Sequence, residues 1–155
     1  MAAAGQQKLT TFLAFQKDAE EAVDFYVSLF DDSEVLHTIR ARAGEPGWTE
    51  GHLQHATFQL AGQQFMCINV PQPGARGGDH APWDEYLFSP AMAIYVQCGT
   101  DEEFDRVYEG LAKGGEILMP VGTYGFSSKF AWVNDRFGVS WRINLSNDSG
   151  TRVAR

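Results

Sequence analysis

Histidine, cysteine, serine and arginine are the residues through which this chain could do chemistry. Of its four histidines, His52 and His55 stand three apart in or just before a β-branched run. Side chains alternate along a strand, so residues three apart turn to opposite faces and do not chelate together. His55, beside Thr57, is the one aimed inward, as a hydrogen-bonding group; His37 and His80 lie elsewhere. Cys67 would be a nucleophile only if a neighbouring cation lowered its pKa, and His55 and Arg142 are the inward candidates for that. Cys67 and Cys98 both lie in apolar, strand-like stretches, where inert buried thiols are the usual state. Ser127 and Ser128 sit in GFSSK with no histidine or acid nearby in sequence, and no Gly-x-Ser-x-Gly elbow is present. Asp31-Asp32 and Glu20-Glu21 read as solvated charges at helix ends. Arg142 is different: a guanidinium stays charged at physiological pH and is costly to bury unpaired, so in a cavity it needs an acid, water or a ligand anion.

Composition narrows the partners. In 155 residues and 17.2 kDa, 12 basic and 20 acidic side chains leave a net charge of −8. That charge opposes phosphate backbones and anionic lipid, so no nucleic acid and no membrane partner is expected. The longest apolar run, residues 91–96, is far short of the roughly 20 residues that span a bilayer. MAAAGQQKL carries no export or transit pattern, and a soluble, cytoplasmic protein is expected. With 44% hydrophobic and 13% aromatic residues, one domain can bury its core without staples.

The elements that must position these side chains are written twice. LTTFLAF, from Leu9, reads as a strand. Asp18 and Glu21 have the form of a capping box, and Ala19, Ala22, Val23, Tyr26, Leu29 and Phe30 then recur at helical spacing. Strands are predicted over 34–42, 53–60 and 64–70, the last two joined by a turn at Ala61-Gly62-Gln63. The same β-α-β-β-β order returns: AMAIYVQC, a box at Thr100 to Glu103, a helix face of Phe104, Val107, Tyr108 and Leu111, a stop at Gly114-Gly115, and strands over 116–123, 129–134 and 139–145. An offset of 82 carries Glu20 onto Glu102, Tyr26 onto Tyr108 and Leu29 onto Leu111. The expectation is one domain over 8–145, with modules at 8–70 and 90–145, a linker loop at 71–89, and flexible termini at 1–7 and 146–155. Trp83, Tyr86 and Phe88 in the loop suggest a lid or a homodimer contact.

The segments AEEAVDFYVSLF, FQLAGQQFMCIN and DRFGVSWRINL resemble the PhnB-like group, often labelled demethylubiquinone 3-methyltransferase-like, within the vicinal oxygen chelate superfamily of glyoxalase, bleomycin-resistance and dioxygenase proteins. The resemblance runs from about Lys8 to Leu145 and implies an α+β fold in which two βαβββ modules form a curved mixed sheet around a cavity. That fold hosts isomerases, ring-cleaving oxygenases, thiol transferases and non-catalytic drug binders. The methyltransferase label finds no support in these residues. The glycine cluster Gly74-Ala75-Arg76-Gly77-Gly78 precedes a Pro- and Trp-containing loop, whereas a doubly wound nucleotide-cofactor site needs such a turn to open a helix directly after a strand.

In metal-dependent members of the superfamily, inward His, Gln or Glu side chains from the first and last strands of each unit hold one divalent ion. Here the first-strand position falls on Thr11, its counterpart on Ala91 or Ala93, and the glutamate of the usual ending on Arg142. Thr, Ala and Arg do not make a divalent site, so no cofactor is expected. Apolar residues at alternate positions, Phe12 and Ala14, Ala56 and Phe58, Met66 and Ile68, Met92, Ile94 and Val96, Trp141 and Ile143, are expected to meet the helices. The opposite parity should then line the cavity. Its expected ligand-binding residues are Thr11, Leu13, His55, Thr57, Cys67, Asn69, Tyr95 and Arg142, receiving a small aromatic or anionic metabolite. The alternative is a metal-dependent isomerase, lyase, dioxygenase or thiol transferase of the same superfamily.

Overall fold

The computed structural model describes residues 7–71 and 87–145. The chain divides into two compact units, residues 1–87 and 88–155. The first holds β1 (Thr11–Phe15), α1 (Ala19–Leu29), β2 (Glu34–Arg40), β3 (Leu53–Leu60) and β4 (Gln63–Asn69); the second holds β5 (Ile94–Cys98), α2 (Asp101–Ala112), β6 (Glu116–Tyr124), β7 (Ser127–Asn134) and β8 (Ser140–Leu145). The strand orders are β1-β4-β3-β2 and β5-β8-β7-β6. Each unit has one parallel pair, β1 with β4 and β5 with β8, in an otherwise antiparallel sheet. The β-α-β-β-β repeat is thus present in both halves. Trp83, Tyr86, His80 and the 74–78 glycine cluster lie outside the described residues.

Each helix buries the stripe its spacing predicts, Ala19, Ala22, Val23, Tyr26 and Leu29 on α1 and Phe104, Val107 and Leu111 on α2. The caps differ. Thr100 is extended, and its side chain accepts from the Glu103 N–H at 3.1 Å while Glu103 Oε2 takes the Gly99 N–H at 2.8 Å. Asp18, at φ −105° and ψ 18°, makes no side-chain cap bond. The Ala19 N–H instead donates to Asn69 Oδ1 of β4 at 2.9 Å, so the sheet itself caps α1. α2 is fixed to β7 by Lys129, whose ammonium lies 2.9 Å from Asp101, 2.8 Å from Asp105 and 4.6 Å from the Phe104 ring centre. Exposed ion pairs add little stability, so their effect is to orient the helix.

Turn chemistry sets the registers. Ala61 at φ 49° and Gly62 at φ 82° form the two-residue turn between β3 and β4; both central residues are left-handed, which matches strand twist. Between β7 and β8, buried Asp135 accepts from the Phe137 and Val139 N–H groups at 2.8 and 3.0 Å and from Trp141 Nε1 at 2.9 Å. One carboxylate therefore ties the turn to the core.

Residues paired across neighbouring strands share a face. In the second unit the helix-covered side carries Trp141, Ile143 and Leu145 with Ala131 and Val133, all buried, as expected. In the first unit β3 also follows expectation, with Ala56, Phe58 and Leu60 buried. The parity of β1 and β4 is the reverse of the expected one. Leu13, Phe15, Phe65 and Cys67 are buried on the helix side, with Phe58 and Phe65 stacked at 5.7 Å, whereas Phe12 is 50% exposed. For β1 the reason is one residue of connector, and β4 follows β1 through their pairing. Three residues separate Phe15 from α1, but two separate Cys98 from α2, so an offset that superposes the helices displaces the strands by one.

Candidate functional site

The uncovered face of the second sheet presents Tyr95, Arg142 and Trp132 in one row across β5, β8 and β7. The Arg142 guanidinium carbon lies 4.1 Å from the Trp132 ring centre, a cation held over an indole face. Trp132 Nε1 donates to Ser140 Oγ at 2.7 Å, which holds the ring in place. Arg142 is exposed and has no carboxylate partner among the described residues. Burial pushes the Tyr95 phenol above its usual range, so the residue paired with Arg142 carries a neutral hydroxyl. The next row, Gln97, Asn144 and Phe130, is internally satisfied. Asn144 Nδ2 donates to Gln97 Oε1 at 2.9 Å, and Ser127 Oγ donates to Asn144 Oδ1.

On the first sheet the matching row is Phe12, Met66 and Thr57, followed by Ala14, Ile68 and His55. The Phe12 and His55 rings lie 6.1 Å apart, and His55 Nδ1 is buried without a hydrogen-bond partner. Beyond His55 the 41–52 loop folds back on its own ends, through Ala41 N–H to His52 and Gly51 N–H to Ala41, both 2.9 Å. It borders an open pocket of about 740 Å³ with Trp48, Arg42 and Gln54 in its wall. A second cavity of about 350 Å³ shares Trp48 and Asn69 and includes His52.

Against this geometry the expected site residues separate into two groups. His55, Thr57, Tyr95 and Arg142 lie on uncovered faces, two in each unit. Thr11, Leu13 and Cys67 belong to the helix-covered side of the first sheet, paired with Phe65, Cys67 and Ala56, and their expected place in the cavity is corrected accordingly. Asn69 reaches the cavity wall, but its amide is engaged on the helix side, by the Ala19 N–H and by donation to Leu53 C=O at 2.8 Å. Phe12, Met66, Trp132, Trp48 and Arg42 were not anticipated. Trp132 could have been found by counting back from Arg142 across the Asp135 turn.

The sequence profile of the family described as 3-demethylubiquinone-9 3-methyltransferase matches residues 7–144. The chain belongs to this family. The family member is 48% identical to the PhnB protein from Bacillus cereus, whose own description repeats the methyltransferase name, over 90% of this chain and 100% of that one, with a TM-score of 0.76. At 11% identity it shares the fold of the fosfomycin resistance protein FosX from Listeria monocytogenes, over 92% of this chain and 94% of that one (TM-score 0.55). At 14% identity it shares that of a glyoxylase/bleomycin resistance protein/dioxygenase domain from Frankia, over 94% of this chain and 96% of that one (TM-score 0.55). No curated protein matches the chain. The fold is the glyoxalase/bleomycin-resistance fold.

Among the described residues the uncovered strand positions offer few of the donors a divalent ion needs. On the uncovered faces of the first and last strands, the paired positions include Phe12 with Met66 and Ala14 with Ile68 in one unit, and Tyr95 with Arg142 and Gln97 with Asn144 in the other. Ala91 and Ala93, expected at the second first-strand position, precede β5 altogether. Among the described residues no three His, Cys, Asp or Glu side chains converge as a metal site would need. Nucleophilic chemistry is no better served. Burial pushes the Cys67 thiol up to about 12, which keeps it neutral near pH 7, and buried Ser127 donates to Asn144 with no base beside it.

Proposed function

We propose that this family member binds a small aromatic or anionic metabolite on the uncovered faces of its sheets, without a resident metal. The observation that carries the reading is Arg142, stacked on Trp132 beside Tyr95 with no acid to neutralise it among the described residues. A planar guanidinium in that setting offers a carboxylate, enolate or phosphonate two parallel charge-assisted hydrogen bonds, and the flanking rings offer apolar area. The uncovered face of the first sheet, taken by itself, carries His55 and Thr57 as its polar groups. Methyl transfer, despite the family name, is outside the proposal, as is a cofactor. We place the protein in the cytoplasm, which agrees with two buried cysteines held as free thiols, and as a homodimer.

The test is a thermal-stability screen of purified protein against zinc, nickel and manganese, and against small carboxylates and phosphonates, with metal content measured in parallel. Stabilisation by anions in the presence of a chelator is expected. Stoichiometric bound metal, or strong stabilisation by a metal alone, would assign the protein instead to the metal-dependent isomerases, lyases, dioxygenases or thiol transferases of the superfamily.

A further inference from the structure

The hairpin joining β6 to β7 carries rings that continue the aromatic surface of the second sheet beyond Trp132. Phe130 stands two residues before Trp132 on the same face, roughly 7 Å away along the strand, and pairs with Asn144 in the row next to that of Arg142. Phe126 meets Phe130 edge-on at 5.0 Å between ring centres and stacks on Tyr124 at 5.8 Å, and Tyr124 meets Phe130 edge-on at 5.8 Å. Phe130 is buried by this packing side of the face, but Phe126 is 69% exposed.

The chain itself braces this arrangement. The Tyr124 hydroxyl donates to the Pro120 carbonyl at 2.7 Å, Thr123 Oγ1 to the Ser128 carbonyl across the hairpin at 2.9 Å, and Ser128 Oγ to the Leu145 carbonyl of β8 at 2.8 Å. A ring held in water on a braced turn needs no ordering when a ligand covers it, so its burial contributes in full to binding.

The polar side chains around Arg142 have their hydrogen bonds within the chain. Toward the hairpin, Asn144 donates to Gln97 and accepts from Ser127, and Gln97 Nε2 donates to the Cys98 carbonyl at 3.3 Å. On the other side, Trp132 Nε1 is taken by Ser140, and Asn134 Oδ1 is shut off from solvent. The guanidinium and the hydroxyl of half-exposed Tyr95 are the groups left to a ligand on this stretch. A sugar or polyol would give up its water here without replacement, whereas an apolar body gains by covering Phe126.

We infer that the second sheet takes an elongated arylalkanoate, with its carboxylate on Arg142 and a ring several bonds away covering Phe126. The inference rests on the anion-binding role proposed for Arg142 and adds Phe126 as the residue that selects long apolar anions over compact ones. Benzoate, whose ring is joined directly to its carboxylate, stays over the Trp132 row; phenylbutyrate, longer by three methylenes, reaches the hairpin.

Titrations of nitrogen-15-labelled full-length protein with these two acids, followed at the Trp132 indole N–H, test it. Phenylbutyrate is expected to bind at least about tenfold more tightly than benzoate through the added apolar and ring contact. Phe126→Ala, at an exposed tip, should erase that advantage while moving benzoate by less than about twofold, and the retained benzoate response shows that the variant is folded. Arg142→Met should weaken both acids. Equal affinity for the two acids, phenylbutyrate binding untouched by Phe126→Ala, or an equal loss of both acids in that variant would overturn the inference; if Arg142→Met still weakens both, the anion site stands without it. Acids indifferent to Arg142→Met would overturn both readings. A Phe126→Ala protein of halved mass in light scattering that keeps its phenylbutyrate affinity would make Phe126 a contact between copies of the chain instead.

Discussion

Replacing Asn69 by Ala should weaken the fold much more than it weakens any ligand. Its Oδ1 takes the Ala19 N–H at 2.9 Å and its Nδ2 reaches the Leu53 carbonyl at 2.8 Å, from a side chain only 8% exposed. Alanine leaves both backbone groups without a partner. Each buried orphan costs about 1–3 kcal/mol, and partial rehydration through the adjacent cavity reduces the sum, so a loss of about 2–4 kcal/mol is expected. For a protein of this length that is a fall in melting temperature of roughly 4–16 °C. Thr57→Val, one strand away on the uncovered face, is the control and should stay within about 0.5 kcal/mol. Urea unfolding of both variants gives the difference from the shift in midpoint at constant slope. An Asn69→Ala protein as stable as the parent would refute the claim that the sheet caps α1, and with it the corrected face of β4.

Three further outcomes are expected. Ala61→Gly should stabilise the protein by roughly 0.5–1 kcal/mol in urea unfolding, since relief of the left-handed alanine at φ 49° outweighs the added chain entropy; a comparable loss would contradict the turn. Burial pushes Cys67 and Cys98 from an ordinary 9.0 up to about 12, so the thiol form is favoured by folding. Stability is fully present below pH 9 and is lost as pH rises toward 12, and both thiols should resist alkylation at pH 8 until unfolding; rapid labelling of the native protein would be the contrary result. Light scattering at micromolar concentration should give twice the 17.2 kDa chain mass, and a persistent monomer would sink the dimer.

Much of this fold is legible in the residues because the two copies agree on the order of cap, helix face and strands. The β8 face is readable for a specific reason: in SWRINL the bulky apolar Trp141, Ile143 and Leu145 alternate with polar Ser140, Arg142 and Asn144. No such contrast exists in Phe12-Leu13-Ala14-Phe15 or Phe65-Met66-Cys67-Ile68, where both faces are apolar and only the register decides. In β1 the extra connector residue before α1 shifted the count, so Leu13 changed sides, and Cys67, its partner on β4, lies on the same side. The 41–52 cavity depends on loop closure between Ala41, Gly51 and His52, which no local pattern encodes. Asn69 shows a related limit, since its sequence neighbours give no hint that it caps a helix fifty residues earlier.

The central claim is that Arg142 receives an anion without help from a metal. The most direct measurement is a titration of chelator-treated protein with phenylphosphonate, followed at the Trp132 indole N–H, in the parent and in Arg142→Met. The account predicts saturable binding that is indifferent to added zinc, nickel or manganese and at least about tenfold weaker in the variant. Binding that requires one of those metals, or that survives Arg142→Met undiminished, would contradict it.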